Sequence, residues 1–136
     1  MDGGDERESV GRRGIVKRGD VFIASMRGPS GKPRPTVVIH ADEFIRPDGP
    51  VIVCPLTSEL ADAASIRVRI EPTPLNGLRV VSDVMVDRMA AAFARDLGRH
   101  FGQLEPADMT RIEFAAVNVL GLGKAASIIA AGGESP

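Results

Sequence analysis

A chain of 136 residues, 43% hydrophobic and 26% charged, holds one domain's worth of core and has no apolar run near the roughly 18 to 20 residues of a membrane span. Its 17 Lys/Arg and 18 Asp/Glu leave a net charge of −1, which argues against a protein that coats long polyanions. The acidic, polar start MDGGDERES does not read as a secretory signal, which gives the cytoplasm as the expected compartment, and the lone Cys54 inside VIVCPL excludes an internal disulfide, leaving a small buried hydrophobe.

Residues 1–14 are Gly-rich and charged and are expected to form a mobile tail; the folded body is expected over residues 15–122. Five short apolar or alternating runs follow: DVFIASM (Asp20 to Met26), TVVIHA (Thr36 to Ala41), VIVCPL (Val51 to Leu56), SIRVRI (Ser65 to Ile70) and RVVSDVMV (Arg79 to Val86). Gly- and Pro-bearing segments punctuate them, a spacing that predicts strands of a small, mostly antiparallel barrel or curled sheet. In the fourth run Ile66, Val68 and Ile70 alternate with Arg67 and Arg69, which places both guanidinium groups on the outer face. Ala90 to Leu97 reads as a short helix and Arg99 to Leu104 as a brief sixth strand. From Pro106 to Leu120, Met109, Ile112, Ala116, Val119 and Leu120 recur at helical spacing, with Pro106 in the first turn and Gly121 after the last. This amphipathic helix is expected to cover the sheet. Residues 123–136, small and weakly patterned, are expected to be a second mobile tail.

Three stretches carry polar side chains in positions that invite chemistry. The loop RGPSGKPRP joins the first two strands and holds Arg27, Lys32 and Arg34. Pro33 and Pro35 restrict Arg34 to extended backbone angles, so little chain entropy is lost when its planar fork is aimed at an anion. A turn arginine paired with a carboxylate fits the same residues. At the end of the third strand Thr57 and Ser58 put two hydroxyls at the rim, where they can meet a phosphate oxygen or cap a local amide. In SDVMVDRM, Asp83 and Asp87 are four apart, and such carboxylates either divide acid and base roles or meet arginines. His40 and His100 are isolated, and no metal-ligand spacing is present. Residues 10–104 hold fourteen Lys/Arg against ten Asp/Glu, a mildly basic body suited to a short anionic ligand.

Taken in order, KRGDVFIASM, GKPRPTVVIH, VIVCPLTSE, SDVMVDRM and LEPADMTRIEFAAVNVLGL resemble the MazF/PemK toxins of bacterial toxin-antitoxin systems over about Val16 to Leu122. The resemblance rests on Arg-Gly-Asp before the first strand, Arg-Pro opening the second and Pro-x-Thr-Ser closing the third. It implies an SH3-like barrel of the PemK/CcdB type with a C-terminal helix, a homodimer, metal-independent cleavage of single-stranded RNA at short sequences, no cofactor, and silencing by a cognate antitoxin. Residue by residue, it makes Arg34 and Thr57 catalytic, sets Ser58 beside them, and puts Asp87 at an aspartate that some members use. Lys32, Arg67, Arg69 and Arg88 are then candidates for guiding the RNA strand. The chain departs from the family pattern in three places: a shorter first loop without the histidine of some members, Asp87-Arg88 in place of Asp-Gln, and Met85 where some members carry an arginine.

That chemistry needs few groups, because RNA brings its own nucleophile. A protein has only to align the 2′-hydroxyl with the leaving 5′-oxygen and stabilise the added negative charge, giving 2′,3′-cyclic phosphate and 5′-hydroxyl ends. Two other readings share the fold: a CcdB-like gyrase-poisoning toxin and a non-catalytic SH3-like binding module. The C-terminal tryptophan of the gyrase poisons is absent.

Overall fold

The computed structural model describes residues 15–26 and 31–133. The N-terminal tail and Arg27 lie outside the described residues. Among the described residues seven strands are present: β1 Asp20–Ala24, β2 Arg34–Val38, β3 Pro50–Thr57, β4 Arg67–Ile70, β5 Ser82–Met85, β6 Ala90–Phe93 and β7 Leu97–Gln103. Two helices follow, α1 Pro106–Leu120 and α2 Gly123–Ala130. The strands run β4-β5-β3-β2-β1-β7, with β6 joined to β3, and every pairing is antiparallel.

The eight-residue β3 bends the sheet, because it serves three neighbours. One edge pairs with β2; the other pairs with β6 along Pro50 to Val53 and with β5 at Leu56 and Thr57. The sheet therefore curls about β3 into the expected barrel-like form.

The apolar runs are nearly continuous because both faces of the central strands are covered. Val21, Val37, Cys54 and Leu56 point into one cluster with Val68, Ile70 and Val84, while Phe22, Val38, Val51 and Val53 point into a second with Ala92 and Leu97. Helix α1 closes the first cluster with Met109, Ile112 and Ala115. Burying a side chain the size of Ile112, at 1% exposure, is worth about 1.5 to 3 kcal/mol.

Pro106 opens α1, where its missing N–H costs nothing, and Gly121 closes it at φ 66° while Leu122 N–H donates to Val117 O at 2.8 Å. Glu105 supplies no side-chain cap.

Two expectations differ from this architecture. Ala90 to Leu97 is not a helix but strand β6 followed by a 3-10 turn at Ala94–Asp96. The alanines favour a helix by only tenths of a kcal/mol each, and pairing with the open edge of β3, with Ala92 buried, overrides that preference. The weakly patterned residues after 122 contain α2, whose first N–H groups follow directly on the end of α1.

The Arg-Gly-Asp stretch ties elements together. Arg18 donates to the Ile39 carbonyl and pairs with Glu113 of α1 at 2.7 Å. Gly19 has φ 93°, and the buried Asp20 accepts from Lys17 N–H, His100 and Gln103. Its role is architectural.

Candidate active site

Strand register brings the sequence candidates together. The β2–β3 ladder pairs Val38 with Val53, Val37 with Cys54 and Thr36 with Pro55. Pro35 and Pro55 have no N–H to give, and the ladder ends there. Carrying the same alignment two residues further sets Arg34 across from Thr57, on the face shared by Thr36 and Pro55. Thr57 pairs in turn with Asp83 of β5, and Asp83 with Arg69 of β4. Thr57, Asp83 and Arg69 thus form a transverse row over three neighbouring strands, each step about 5 Å, and the extended β2–β3 alignment points Arg34 toward its Thr57 end.

Each end of the row opens into a cavity. At the Arg34 end, a hollow of about 450 Å³ is lined by Lys32, Arg34 and Arg88 over Pro55 and Met85, with no acidic residue among the described residues of its wall. None of these three cations has a hydrogen-bond or ion-pair partner among the described residues. At the other end a larger hollow, about 630 Å³, lies between the segment after β3, β4 and α1. Its arginines are all engaged: Arg67 with Asp87, Arg69 with Asp83, Arg111 with Asp108. Size and chemistry point to different hollows; the smaller holds the free positive charge an anionic substrate requires.

Thr57 lines neither hollow and is 5% exposed, and its hydroxyl oxygen accepts the Glu59 N–H at 3.1 Å, which leaves its proton to donate elsewhere. Ser58 is exposed beside it. Asp87 sits in the 3-10 turn Val86–Arg88, beyond the end of β5, with both oxygens held by Arg67 at 3.1 and 3.3 Å. Asp83 and Asp87 therefore meet separate arginines rather than each other.

The Asp83 environment was not legible in the sequence. Its carboxylate is 2% exposed and takes Arg69 Nε at 3.0 Å, Arg69 Nη2 at 3.2 Å and the Ala61 N–H at 2.9 Å. Burial pushes this carboxyl upward, but the Arg69 and Ala61 hydrogen bonds and the charges of Arg69 and Arg67 outweigh it and hold it below the usual carboxylate range. Burial and the nearby Asp87 charge push the Cys54 thiol up to about 12, so it stays protonated and is no nucleophile. Among the described residues no group of three or more His, Cys, Asp or Glu is placed to hold a metal ion, and no helix is long and apolar enough to cross a membrane.

Comparison with known proteins decides the family. The family model of the PemK-like, MazF-like toxin of type II toxin-antitoxin systems matches residues 17–120. The chain belongs to this family. It is 39% identical over 108 residues to a probable endoribonuclease MazF of Mycolicibacterium smegmatis, covering 79% of this chain and 98% of that one. Among solved structures it is similar to the Mycobacterium tuberculosis toxin MazF-mt6, with TM-score 0.63 and 27% identity over 75% of this chain and 96% of that one. An endoribonuclease from a mycobacterial species, solved with its cognate antitoxin, shares the fold at TM-score 0.65 and 22% identity, covering 79% and 97%. In this PemK/MazF-like toxin, Arg34 stands just past the end of the β2–β3 ladder and Thr57 is the last residue of β3.

Proposed function

We propose that this toxin is an endoribonuclease that cleaves single-stranded RNA without a metal or other cofactor, with Arg34 and Thr57 as catalytic residues. The reading is supported by the β2–β3 register, which carried past its last pair puts these two residues on one face, and by the hollow at Arg34, whose three cations have no partner among the described residues. The name of the 39% identical relative supports the reaction class.

The chemistry is an internal phosphoryl transfer. The 2′-oxygen bonds to phosphorus as the bond to the 5′-oxygen breaks; the 2′-proton passes to solvent, and the 5′-oxygen takes up a proton. Arg34 grips the non-bridging oxygens, whose charge rises in the transition state, and assists the departing 5′-oxygen; Thr57 donates its hydroxyl proton to the same phosphate. Ser58, exposed beside Thr57, takes the supporting role of a second hydroxyl donor to the phosphate. Asp87, held by Arg67, supports the turn that carries Arg88. Lys32 and Arg88 guide the strand into the smaller hollow, and Arg67 and Arg69 border its path on the other side of Thr57.

Membership in a type II family supports a protein antitoxin as the physiological partner, and the same reading gives a homodimer acting in the cytoplasm. The test is incubation of the purified protein with single-stranded RNA in EDTA, followed by analysis of the ends. Fragments with 2′,3′-cyclic phosphate and 5′-hydroxyl ends are expected. Intact RNA, or cutting that needs an added metal, overturns the proposal.

A further inference from the structure

Asp83 and Arg69 do more than pair with each other. The Asp83 carboxylate takes the Ala61 N–H at 2.9 Å, and Arg69 Nη2 donates to the Ala61 carbonyl at 2.9 Å, so one ion pair grips both backbone groups of a single residue. Ala61 lies four residues past Thr57, and Asp83 is the cross-strand partner of Thr57. The segment between is pinned at its start by the Glu59 N–H on the Thr57 hydroxyl and at its end by this clasp. A buried carboxylate with three donors is far more rigid than an exposed pair, whereas Leu60 and Asp62 on either side of Ala61 have exposed side chains that contribute little restraint.

We propose that Asp83 and Arg69 are positioning residues: their joint hold on Ala61 fixes the 58–61 segment and with it the direction in which the Thr57 hydroxyl presents its proton. This rests on the ribonuclease reading above. Arg69 then acts through the protein backbone and does not touch RNA phosphate, although it stands on the outer face with a partly exposed side chain. Loosening the clasp leaves the free cations of the smaller hollow untouched, so substrate is still held while the hydroxyl loses its aim.

The experiment compares wild type, Asp83→Asn, Arg69→Gln and Arg69→Ala on a short RNA, with kcat and KM, the salt dependence of binding to a 2′-O-methyl analogue, and hydrogen exchange at the Ala61 amide. Thermal melts confirm that each variant is folded at the assay temperature. Expected are a fall in kcat of about tenfold or more, KM within about twofold of wild type, an unchanged salt slope, and faster exchange at Ala61. Millimolar guanidinium restores part of the Arg69→Ala rate by occupying the vacated fork, a rescue that mere loss of stability does not give. A KM rise with a salt slope shallower by about 0.7 makes Arg69 an RNA contact and overturns the assignment, as does an unchanged kcat in folded Asp83→Asn and Arg69→Gln. If wild type itself leaves RNA intact, the ribonuclease reading fails first; variants as active as a cutting wild type sink the clasp alone.

Discussion

Arg67 and Asp87 form a two-point ion pair, Nε to Oδ1 at 3.1 Å and Nη2 to Oδ2 at 3.3 Å, which fastens the turn after β5 to β4. Arg88, the next residue along, has no partner among the described residues and lines the smaller hollow. Two adjacent positions of one turn thus divide the work: one carboxylate anchors, and one guanidinium is left for a ligand.

That division predicts the salt dependence of binding. Each phosphate contact on single-stranded RNA contributes about −0.7 to the slope of log affinity against log salt. Lys32→Ala with Arg88→Ala should make the slope shallower by about 1.4, measured by fluorescence anisotropy on a 2′-O-methyl oligonucleotide. Arg67→Gln should leave it nearly unchanged, because Asp87 already neutralises that guanidinium. A larger loss from Arg67→Gln than from the double variant contradicts the assignment.

Removing the proposed catalytic cation should cost rate and not fold. Arg34→Ala is expected to lower kcat about a hundredfold or more, on the order of 3 kcal/mol of transition-state stabilisation, with an unchanged melting midpoint because the side chain has no partner to lose among the described residues. Arg34→Lys should recover only part of the rate, since a point charge replaces a planar fork. Full activity in Arg34→Ala removes this residue from the reaction.

Acid stability should report on Asp83. A carboxyl whose folded pKa lies below its unfolded value of about 3.9 contributes stability above that value and loses it as pH falls through the folded one. Urea unfolding from pH 6 to pH 3 should therefore show stability falling below about pH 4, and Asp83→Asn, less stable at pH 6, should fall less steeply. Parallel curves for the two proteins refute the coupling.

Cys54 should be silent to thiol reagents. With the thiol pushed up to about 12 and fully buried, the folded protein at pH 8 is expected to react with a disulfide reagent only as fast as it unfolds, and at once in guanidinium chloride. Rapid reaction of the folded protein would place the sulfur at the surface.

Much of this architecture was legible from local signals. The runs around Val21, Val37, Val53, Val68 and Val84 gave five strands, and the Met109, Ile112, Val119 spacing with Pro106 and Gly121 gave the helix, because burial and caps act over a few residues. Ala90 to Phe93 misled for the opposite reason: nothing local announces that an open edge of β3 is waiting for it. Arg34 and Thr57 could be singled out from stiffness and from family resemblance, but the face they share depends on the β2–β3 register, which no single strand encodes. The partner of Arg69 follows from the β4–β5 register, and that of Arg67 from the turn just past the register's end, so both were hidden likewise. Two guanidinium groups on an outer face looked free until Asp83 arrived opposite one and Asp87 swung in from the turn to meet the other.

The prolines at 35 and 55 have a lasting effect on how the molecule can be controlled. With no amide hydrogen to offer at that level, the two backbones cannot zip together there, and a notch beside Arg34 is written into the strands themselves. In a toxin made this way, restraint can be imposed simply by a partner that fills the notch.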